Sequence, residues 1–333
     1  MLNFGIIGAG RLGTRHAENL AEIENAKVAA VYDINAEKAQ FLHDKYGAEI
    51  CNSAEELAAK VDAVVVASPS DCHIEGVRAA IQADKHVFSE KPLCRFAEQA
   101  EEYHRLFNGF KKVYGIGFVR RHILKTQLFK QMLDDNKIGR IRFCNVDLPF
   151  GGFRRMQDDW FANYKRSGGV ILDMLAHHID LANWFFGKAK RVYAQGMMLD
   201  PTQKLPSDYV SATITYENDV YVNMMCSWQR FGRSNEVMEV YGENGALTLN
   251  SSDKFILSML GEETQEIDAT ENVTSAQVDN ASTGNGFMNE MVNFIHCIET
   301  GETYKPGIPE AFASFAVAEA MMRSAETGKV VEL

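Results

Sequence analysis

The sequence predicts an α/β protein with two domains, and three observations carry this prediction. Strand and helix signals alternate over roughly the first 120 residues, which indicates an open parallel sheet. A glycine-rich loop at 8–13 separates the first strand signal from the first helix signal. After residue 120, short alternating segments joined by polar turns indicate an α+β region with a large, mainly antiparallel sheet. We therefore predict one domain over 1–120 and a second over 121–333.

The amino-terminal elements are predicted from apolar runs and helix-capping signals. Phe4–Ile7 and Val28–Tyr32 have strand length, and Val61–Ala67 is apolar enough for a central strand covered on both faces. Ser53, followed three residues later by Glu56, forms a capping box that opens a helix. Further helices are predicted over 36–46, 72–83 and 96–107, and further strands over 86–89 and 112–116. In such a sheet, ligands bind beyond the carboxyl ends of the strands.

The carboxyl-terminal elements are predicted from alternation and hairpin turns. Strands are predicted over 141–148, 209–216, 220–228, 237–241, 246–250 and 255–260, and helices over 125–136, 287–298 and 309–327. The last helix is also a candidate to pack back at the domain junction. Residues 263–285 are polar and predict a long surface excursion.

Large side chains occupy both alternate faces of these strands. One face carries Val210, Ile214 and Val220, and the other includes Tyr209, Tyr221 and Trp228. One face covers the core of the domain, and an apolar second face needs a partner. We therefore predict a homo-oligomer, either a dimer or a tetramer, that assembles through this sheet.

Composition excludes several classes of partner. The chain has 333 residues and a net charge of −11, so a nucleic-acid backbone is not expected to bind it. No apolar run reaches membrane-spanning length, and the first strand begins without a preceding signal peptide. The six cysteines have no zinc-site spacing, which indicates reduced thiols and no metal. A cytoplasmic protein is expected.

The loop Gly8-Ala9-Gly10-Arg11-Leu12-Gly13 predicts a dinucleotide site, because it lies between a strand and a helix. Gly8 permits the tight turn, Gly10 lets the backbone approach a pyrophosphate, and Gly13 lets helix and strand pack closely. The pyrophosphate then binds N–H groups at the helix N-terminus. A glycine-rich turn in another kind of α/β protein is the alternative.

Asp33 indicates which dinucleotide binds. It ends the second strand twenty residues after Gly13, where a carboxylate accepts hydrogen bonds from a ribose diol and repels a 2′-phosphate. Ile34 and Asn35 supply no arginine for such a phosphate. NAD is therefore the predicted cofactor, while the nearby Lys38 leaves NADP as an alternative.

Lys91 is the first candidate for chemistry on a substrate. Ser89-Glu90-Lys91-Pro92 directly follows a predicted strand, which places the lysine at the carboxyl edge of the sheet. Desolvation lowers the pKa of a lysine, and its ammonium group can orient a hydroxyl. A solvated surface lysine is the alternative reading of this short motif.

A second candidate is the segment 168–180, a glycine pair followed by an apolar helix pattern. On a regular helix, Asp173 and His177 lie four residues apart on one face, and Asp180 follows on the same stripe. Histidine is the natural proton acceptor near neutral pH, and a carboxylate can fix its tautomer. His178 points to another side of the helix and is the weaker candidate. A core histidine satisfied by its neighbours is the alternative.

Taken together, these motifs resemble the glucose–fructose oxidoreductase/inositol dehydrogenase family over essentially the whole chain. Gly117-Phe118-Val119-Arg120-Arg121 most resembles the inositol dehydrogenase branch of that family. The resemblance implies that Lys91, Asp173 and His177 are the catalytic residues. It further implies two sets of binding residues. The cofactor set is Gly8, Gly10, Arg11, Leu12, Gly13, Asp33, Ser68, Pro69, His73, Glu90 and Lys91, and the substrate set is Lys91, Arg120, Asp158, Trp160, Asp173 and His177.

The resulting functional prediction is an NAD-dependent dehydrogenase of a cyclic polyol or sugar, similar to inositol 2-dehydrogenase. His177 would remove the hydroxyl proton while Lys91 orients that hydroxyl. The alternatives are a keto-sugar reductase or another pyranose dehydrogenase, an NAD-using glycosidase, and a non-enzymatic dinucleotide sensor. The stretch Pro149–Arg166, which should contact the substrate, matches no branch, so the substrate itself is not predicted.

Overall fold

The computed structural model describes residues 1–149, 160–197, 208–228, 235–270 and 285–333. The chain divides into two compact units. Unit 1 comprises Met1–Val119 and Ser282–Phe312, and unit 2 comprises Arg120–Ala281 and Ala313–Leu333. Among the described residues, no helix is both long enough and apolar enough to cross a membrane.

The described elements are fifteen strands and ten α-helices. The strands are β1 (Leu2–Ile7), β2 (Ala26–Tyr32), β3 (Glu49–Ile50), β4 (Ala63–Val66), β5 (His86–Glu90), β6 (Tyr114–Gly117), β7 (Ile141–Pro149), β8 (Ala189–Met197), β9 (Tyr209–Tyr216), β10 (Tyr221–Ser227), β11 (Val237–Gly242), β12 (Gly245–Asn250), β13 (Lys254–Met259), β14 (Gln265–Asp268) and β15 (Val331–Glu332). The helices are α1 (Arg11–Glu22), α2 (Ala36–Tyr46), α3 (Ala54–Lys60), α4 (His73–Gln82), α5 (Ala97–Phe107), α6 (Leu124–Asp134), α7 (Tyr164–Ser167), α8 (Ala176–Phe186), α9 (Gly286–Thr300) and α10 (Ile308–Thr327).

Unit 1 is built on a parallel sheet with the strand order β3-β2-β1-β4-β5-β6. All its strand pairs are parallel, and the four residues of β4 are buried, as expected for a central strand. After β3 at one edge, the chain returns to the middle of the sheet, where β4 pairs with β1. The strand order therefore reverses its direction between β1 and β4. This is the doubly wound order of a dinucleotide-binding domain, with its ligand crevice at that switch point. The predicted α/β class of the amino-terminal region is confirmed.

Helices α2 and α3 of unit 1 begin at residues whose side chains cap them. Asn35 caps α2 by accepting hydrogen bonds from the N–H groups of Glu37 and Lys38, and Gly47 ends the helix in the left-handed region. Ser53 caps α3 by accepting from the N–H of Glu56. The capping box is incomplete, because the Glu56 carboxylate accepts from Asn52 rather than from Ser53.

Helix α9 belongs to unit 1, whereas the prediction assigned it to the second domain, over 121–333. Its apolar residues Met291, Phe294 and Ile295 join the core cluster that contains Phe4 and Phe88. Burial of this helix face therefore brings residues 282–312 into unit 1. The sequence could not indicate this return, because nothing in the helix pattern says which sheet it covers.

Unit 2 is built on a nine-stranded sheet with the order β14-β13-β12-β11-β7-β10-β9-β8-β15. Strands β7 and β10 pair in parallel, and every other described pair is antiparallel. The prediction of a large, mainly antiparallel sheet is thus confirmed. Helix α10 contributes its residues up to Phe312 to unit 1 and the remainder to unit 2.

The two faces of this sheet differ in burial. Val210, Ala212 and Ile214 on β9 are buried, whereas large side chains on alternate positions of neighbouring strands are exposed. These exposed residues are Phe143, Tyr193, Met197 and Tyr221. Trp228 had been expected among them, but it is 1% exposed and continues the buried alternation of Val222, Met224 and Cys226.

Strands β8 and β14 were not predicted from the sequence. Strand β8 has few buried apolar residues, chiefly Val192 and Ala194, so its alternation is weak. Strand β14 lies inside the polar segment 263–285, of which residues 271–284 lie outside the described residues.

Candidate active site

The turn from β1 to α1 has the geometry that a dinucleotide pyrophosphate requires. Gly8 has a φ of +91°, and a Cβ on it would lie 2.7 Å from the carbonyl oxygen of Ala67. A Cβ on Gly13 would lie 1.9 Å from the carbonyl oxygen of Gly8, so only glycine permits this packing. A Cβ on Gly10 would meet no protein atom within 4 Å, so this backbone faces open space. No described side chain caps α1, which leaves its first N–H groups available to an anion.

Asp33 is held against this loop at the end of β2. Its Oδ2 accepts a hydrogen bond from the N–H of Ala9 at 2.7 Å, and its Oδ1 accepts from the N–H of Asn35 at 2.7 Å. The carboxylate therefore stands beside the glycine loop, where a ribose diol would donate to it. The neighbouring Ile34 is an apolar residue whose side chain is 93% exposed. In the sequence analysis, Ile34 mattered only because it is not an arginine.

His73 joins two loops of the same sheet edge. Its Nδ1 lies 3.0 Å from the carbonyl oxygen of Pro92, and its Nε2 lies 2.8 Å from that of Ser68. The ring is 1% exposed, and burial lowers its pKa below the usual value for histidine. His73 thus connects the loop after β4 to the loop after β5, whereas Ser68 and Pro69 are half-exposed at the end of β4.

Glu90 and Lys91 lie at the end of β5, and the Lys91–Pro92 peptide bond is cis. Glu90 is 3% exposed, with Oε1 2.7 Å from His16 Nε2 and Oε2 accepting from the N–H of Lys91 at 3.3 Å. Its side chain therefore supports the loop from inside. Lys91 itself is half-exposed.

The structure brings the unit 1 candidates to one edge of the parallel sheet. Gly8, Asp33, Ser68 and Lys91 follow β1, β2, β4 and β5, which are neighbours in the order β2-β1-β4-β5. Arg11 and Leu12 form the first turn of α1 at the same edge, exposed and half-exposed respectively. The backbone geometry around Gly10 and the carboxylate of Asp33 fit a dinucleotide.

The segment 168–180 of unit 2 is not a regular α-helix throughout. Gly168 and Gly169 have φ values of +75° and +68°, which favour glycine, and they precede a turn of π-helix over Ile171–Leu175. Helix α8 then begins at Ala176. Single π-turns within helices occur frequently at functional sites. The prediction assumed α-helical spacing here, and apolar periodicity alone could not reveal the extra residue in this turn.

The residues of this segment separate by burial. Asp173 and His177 are half-exposed, while His178 is 2% exposed. Burial, and then the nearby charge of Arg120, lowers the pKa of His178 to about 3, which makes it a weak proton acceptor. Asp173 lies close enough to β10 for its charge to add to burial in raising the pKa of Cys226.

Asp180, expected on the same stripe, follows His177 by three residues within α8. It is completely buried, and its carboxylate oxygens accept from Nε and Nη2 of Arg121, both at 2.7 Å. Ser314 also lies 3.4 Å from Oδ1 of Asp180. This buried ion pair gives Asp180 a structural position, whereas the π-turn changes the spacing between Asp173 and His177.

The remaining substrate candidates have different outcomes. Arg120 forms a two-pronged ion pair with Glu236, with Nη2 2.5 Å from Oε2, and both side chains are about three-quarters buried. Trp160 is half-exposed and stacks on Phe161 with ring centroids 4.0 Å apart. Asp158 lies outside the described residues.

Two ionisable residues in unit 1 were missed by sequence reasoning. His16 on α1 and Glu290 on α9 are both completely buried, and they lie with Glu90 in one cluster. The available signal for these two buried residues was a polar residue among the apolar positions of each predicted helix. Neither belongs to a recognisable short motif.

Comparison with known families matches nearly the whole chain. Residues 2–118 match the amino-terminal domain described as "Oxidoreductase family, NAD-binding Rossmann fold". Residues 130–333 match the partner domain described as "Oxidoreductase family, C-terminal alpha/beta domain".

Individual relatives are similar along most of their length. The chain is 26% identical to the inositol 2-dehydrogenase of Rhizobium meliloti (strain 1021) over 329 residues, covering 97% of this chain and 96% of that protein. It is 28% identical to the glucose-6-phosphate 3-dehydrogenase of Bacillus subtilis (strain 168) over 237 residues, covering 68% of each. A solved levoglucosan dehydrogenase in complex with NADH and levoglucosan has the same fold, with a TM-score of 0.89, 20% identity and 99% coverage of both chains.

Proposed function

The chain belongs to the glucose–fructose oxidoreductase/inositol dehydrogenase family of NAD-dependent oxidoreductases, and on this premise we propose that it oxidises a secondary hydroxyl of a cyclic polyol or sugar. The observation that carries the proposal is the convergence of Gly8, Asp33, Ser68 and Lys91 at one sheet edge. The inositol, glucose-6-phosphate and levoglucosan dehydrogenases among its relatives support this substrate class.

In the proposed mechanism, this chain binds the cofactor and moves one proton. The N–H groups of the α1 N-terminus hold the pyrophosphate, and Asp33 accepts hydrogen bonds from the ribose. NAD, when bound, supplies the hydride acceptor.

The proposed proton transfer is assigned to unit 2. His177 takes the proton from the substrate hydroxyl at a ring nitrogen, because it is a partly exposed imidazole near a carboxylate in the sequence. Asp173 orients either the substrate or the imidazole. Lys91 of unit 1 would orient a substrate hydroxyl through its ammonium group.

A polyol and sugar panel tests this function. Inositols, aldoses and their phosphates would be supplied with NAD, and NADH formation followed by absorbance. We expect one cyclic class to give stoichiometric NADH and the corresponding ketone or lactone. Activity only in the reductive direction would favour a keto-sugar reductase. Cleavage of a glycoside without net NADH, or NAD binding without turnover on any polyol, would contradict the proposal.

We also propose that the protein is a cytoplasmic homo-oligomer that assembles through the exposed face of the nine-stranded sheet. Phe143, Tyr193, Met197 and Tyr221 lie exposed on that face, between 38% and 51%. The six cysteines are all free, which fits a reducing compartment.

Light scattering at micromolar concentration tests the oligomeric state. A dimer or tetramer of the 37.3 kDa chain is expected, because burying these apolar side chains removes them from water. Tyr221→Lys should shift the mass toward the single chain, while Phe41→Lys, which replaces a similarly exposed aromatic residue on α2 of unit 1, should not. A monomeric wild-type mass would contradict assembly.

A further inference from the structure

Three ionisable side chains form a buried cluster in unit 1. His16 lies on α1, Glu90 ends β5 and Glu290 lies on α9, and their exposed fractions are 0%, 3% and 0%. Their nitrogen and oxygen atoms lie within 4.8 Å of one another. The proposed function assigns no role to His16 or Glu290.

The cluster is connected directly to Lys91. His16 Nε2 and Glu90 Oε1 are 2.7 Å apart, and Glu90 Oε2 accepts from the N–H of Lys91. A Cβ on Gly117 would lie 2.9 Å from Glu90 Oε2, so the glycine leaves room for this carboxylate. Glu90 therefore links the helix that carries the glycine loop to the proposed catalytic lysine.

Glu290 reaches the cluster from the other side. Both of its carboxylate oxygens are buried and have no hydrogen-bond partner among the described residues. Burial, and then the charge of Glu90, raises the pKa of Glu290 well above its usual value. The charges of Glu90 and Lys91 both act on the buried imidazole of His73, so the three groups lie within electrostatic reach of one another.

Charge balance decides where the protons lie. Two ionised carboxylates would leave a net negative charge in the core, which is strongly unfavourable. A proton on Glu290 removes one of these two charges and leaves the short contact between His16 and Glu90 undisturbed. A shared zinc ion is disfavoured, because two ligands on one tetrahedral zinc lie about 3.3 Å apart. The separation of 2.7 Å between His16 and Glu90 is that of a hydrogen bond.

We propose that Glu290 is a buried neutral carboxylic acid that keeps the Glu90–His16 pair intact and thereby holds Lys91 in place. His16 and Glu290 are then positioning residues for the dehydrogenation. This positioning role rests on the proposed function of Lys91, whereas the protonation of Glu290 does not. An ionised Glu290 would repel Glu90 and loosen the loop that follows β5.

The dependence of stability on pH tests the protonation. A carboxyl group whose pKa is higher in the folded than in the unfolded chain stabilises the fold below its unfolded pKa, here 4.5, and this stabilisation is lost as the pH rises. The unfolding constant of wild type should therefore rise about tenfold per pH unit relative to Glu290→Gln, from about pH 5 up to the folded pKa. Glu98→Gln, an exposed glutamate on α5, is the matched control and should follow wild type.

Two results would overturn the neutral acid. One is a ratio of the two unfolding constants that does not change with pH. The other is a wild-type stability that falls on addition of EDTA while that of Glu290→Gln does not, since a cation would then balance the charge.

Turnover tests the positioning role. Glu290→Ala, checked for folding and NAD binding, should lower kcat about 10- to 100-fold without a matching change in KM, because small displacements near reacting groups are costly. Glu290→Gln, which is neutral and keeps the size of the side chain, should restore most of that loss. If the role required the charge of a carboxylate, Glu290→Gln would lose kcat as Glu290→Ala does. Wild-type kcat in Glu290→Ala would overturn the role. Wild-type kcat in Lys91→Ala would instead overturn the proposed function of Lys91, and the positioning role with it, while the pH measurement still decides the protonation.

Discussion

The glycine loop of unit 1 and the segment 168–180 of unit 2 both carry proposed chemistry, yet they are specified in different ways. In the loop, the backbone itself is the functional group, so steric demands at Gly8 and Gly13 appear directly in the residue types. In the segment, the functional groups are side chains, and their placement depends on the type of helix that carries them. A motif made of backbone is therefore easier to read than one made of side chains.

The largest expected effect tests the segment. His177→Ala should lower kcat about 10²- to 10⁴-fold, the usual contribution of a positioned proton acceptor. Affinity for NAD should hold, because the glycine loop and Asp33 belong to unit 1. Steady-state kinetics and NAD titration by fluorescence measure the two quantities separately.

His178→Ala is the matched control on the neighbouring position. Its imidazole is buried with a pKa lowered to about 3, so its removal should cost stability rather than turnover. The assignment fails if His178→Ala abolishes turnover while folded, NAD-bound His177→Ala does not.

A smaller effect tests whether the loop is specified by its backbone. Gly13→Ala should destabilise unit 1 by about 1–3 kcal/mol, because its Cβ would collide with the carbonyl oxygen of Gly8. Gly10→Ala should leave the melting temperature nearly unchanged, because its Cβ meets no protein atom, but it should weaken NAD binding. Equal loss of stability in both variants would contradict the separate roles of these glycines.

The same contrast explains how much could be predicted from the sequence. The parallel sheet, the boundaries of α2 and the strand β9 were predicted closely, because capping residues and alternation are local signals. The burial of Asp180 was not predicted, because its partner Arg121 lies 59 residues away in the sequence, and the π-turn before α8 was not predicted either. His16 and Glu290 were missed for a similar reason, since only the packing of α9 on α1 brings them together.

The smallest expected effect concerns Asp33, whose carboxylate accepts a hydrogen bond from the glycine loop. Asp33→Ser should raise the KM for NAD about tenfold, because hydrogen bonds to a charged acceptor are lost, and should lessen the exclusion of NADP. Asp44→Ser, an exposed acid on α2, removes the same charge without touching the loop and should change neither constant. The carboxylate accepts from the N–H of Ala9 through Oδ2 and from that of Asn35 through Oδ1, whereas serine offers a single oxygen. A loss of NAD and NADP binding together would therefore show that Asp33 acts through the shape of the loop. A change in their ratio alone would show that it acts through its charge at the ribose, and equal use of both cofactors by wild type would contradict that second reading.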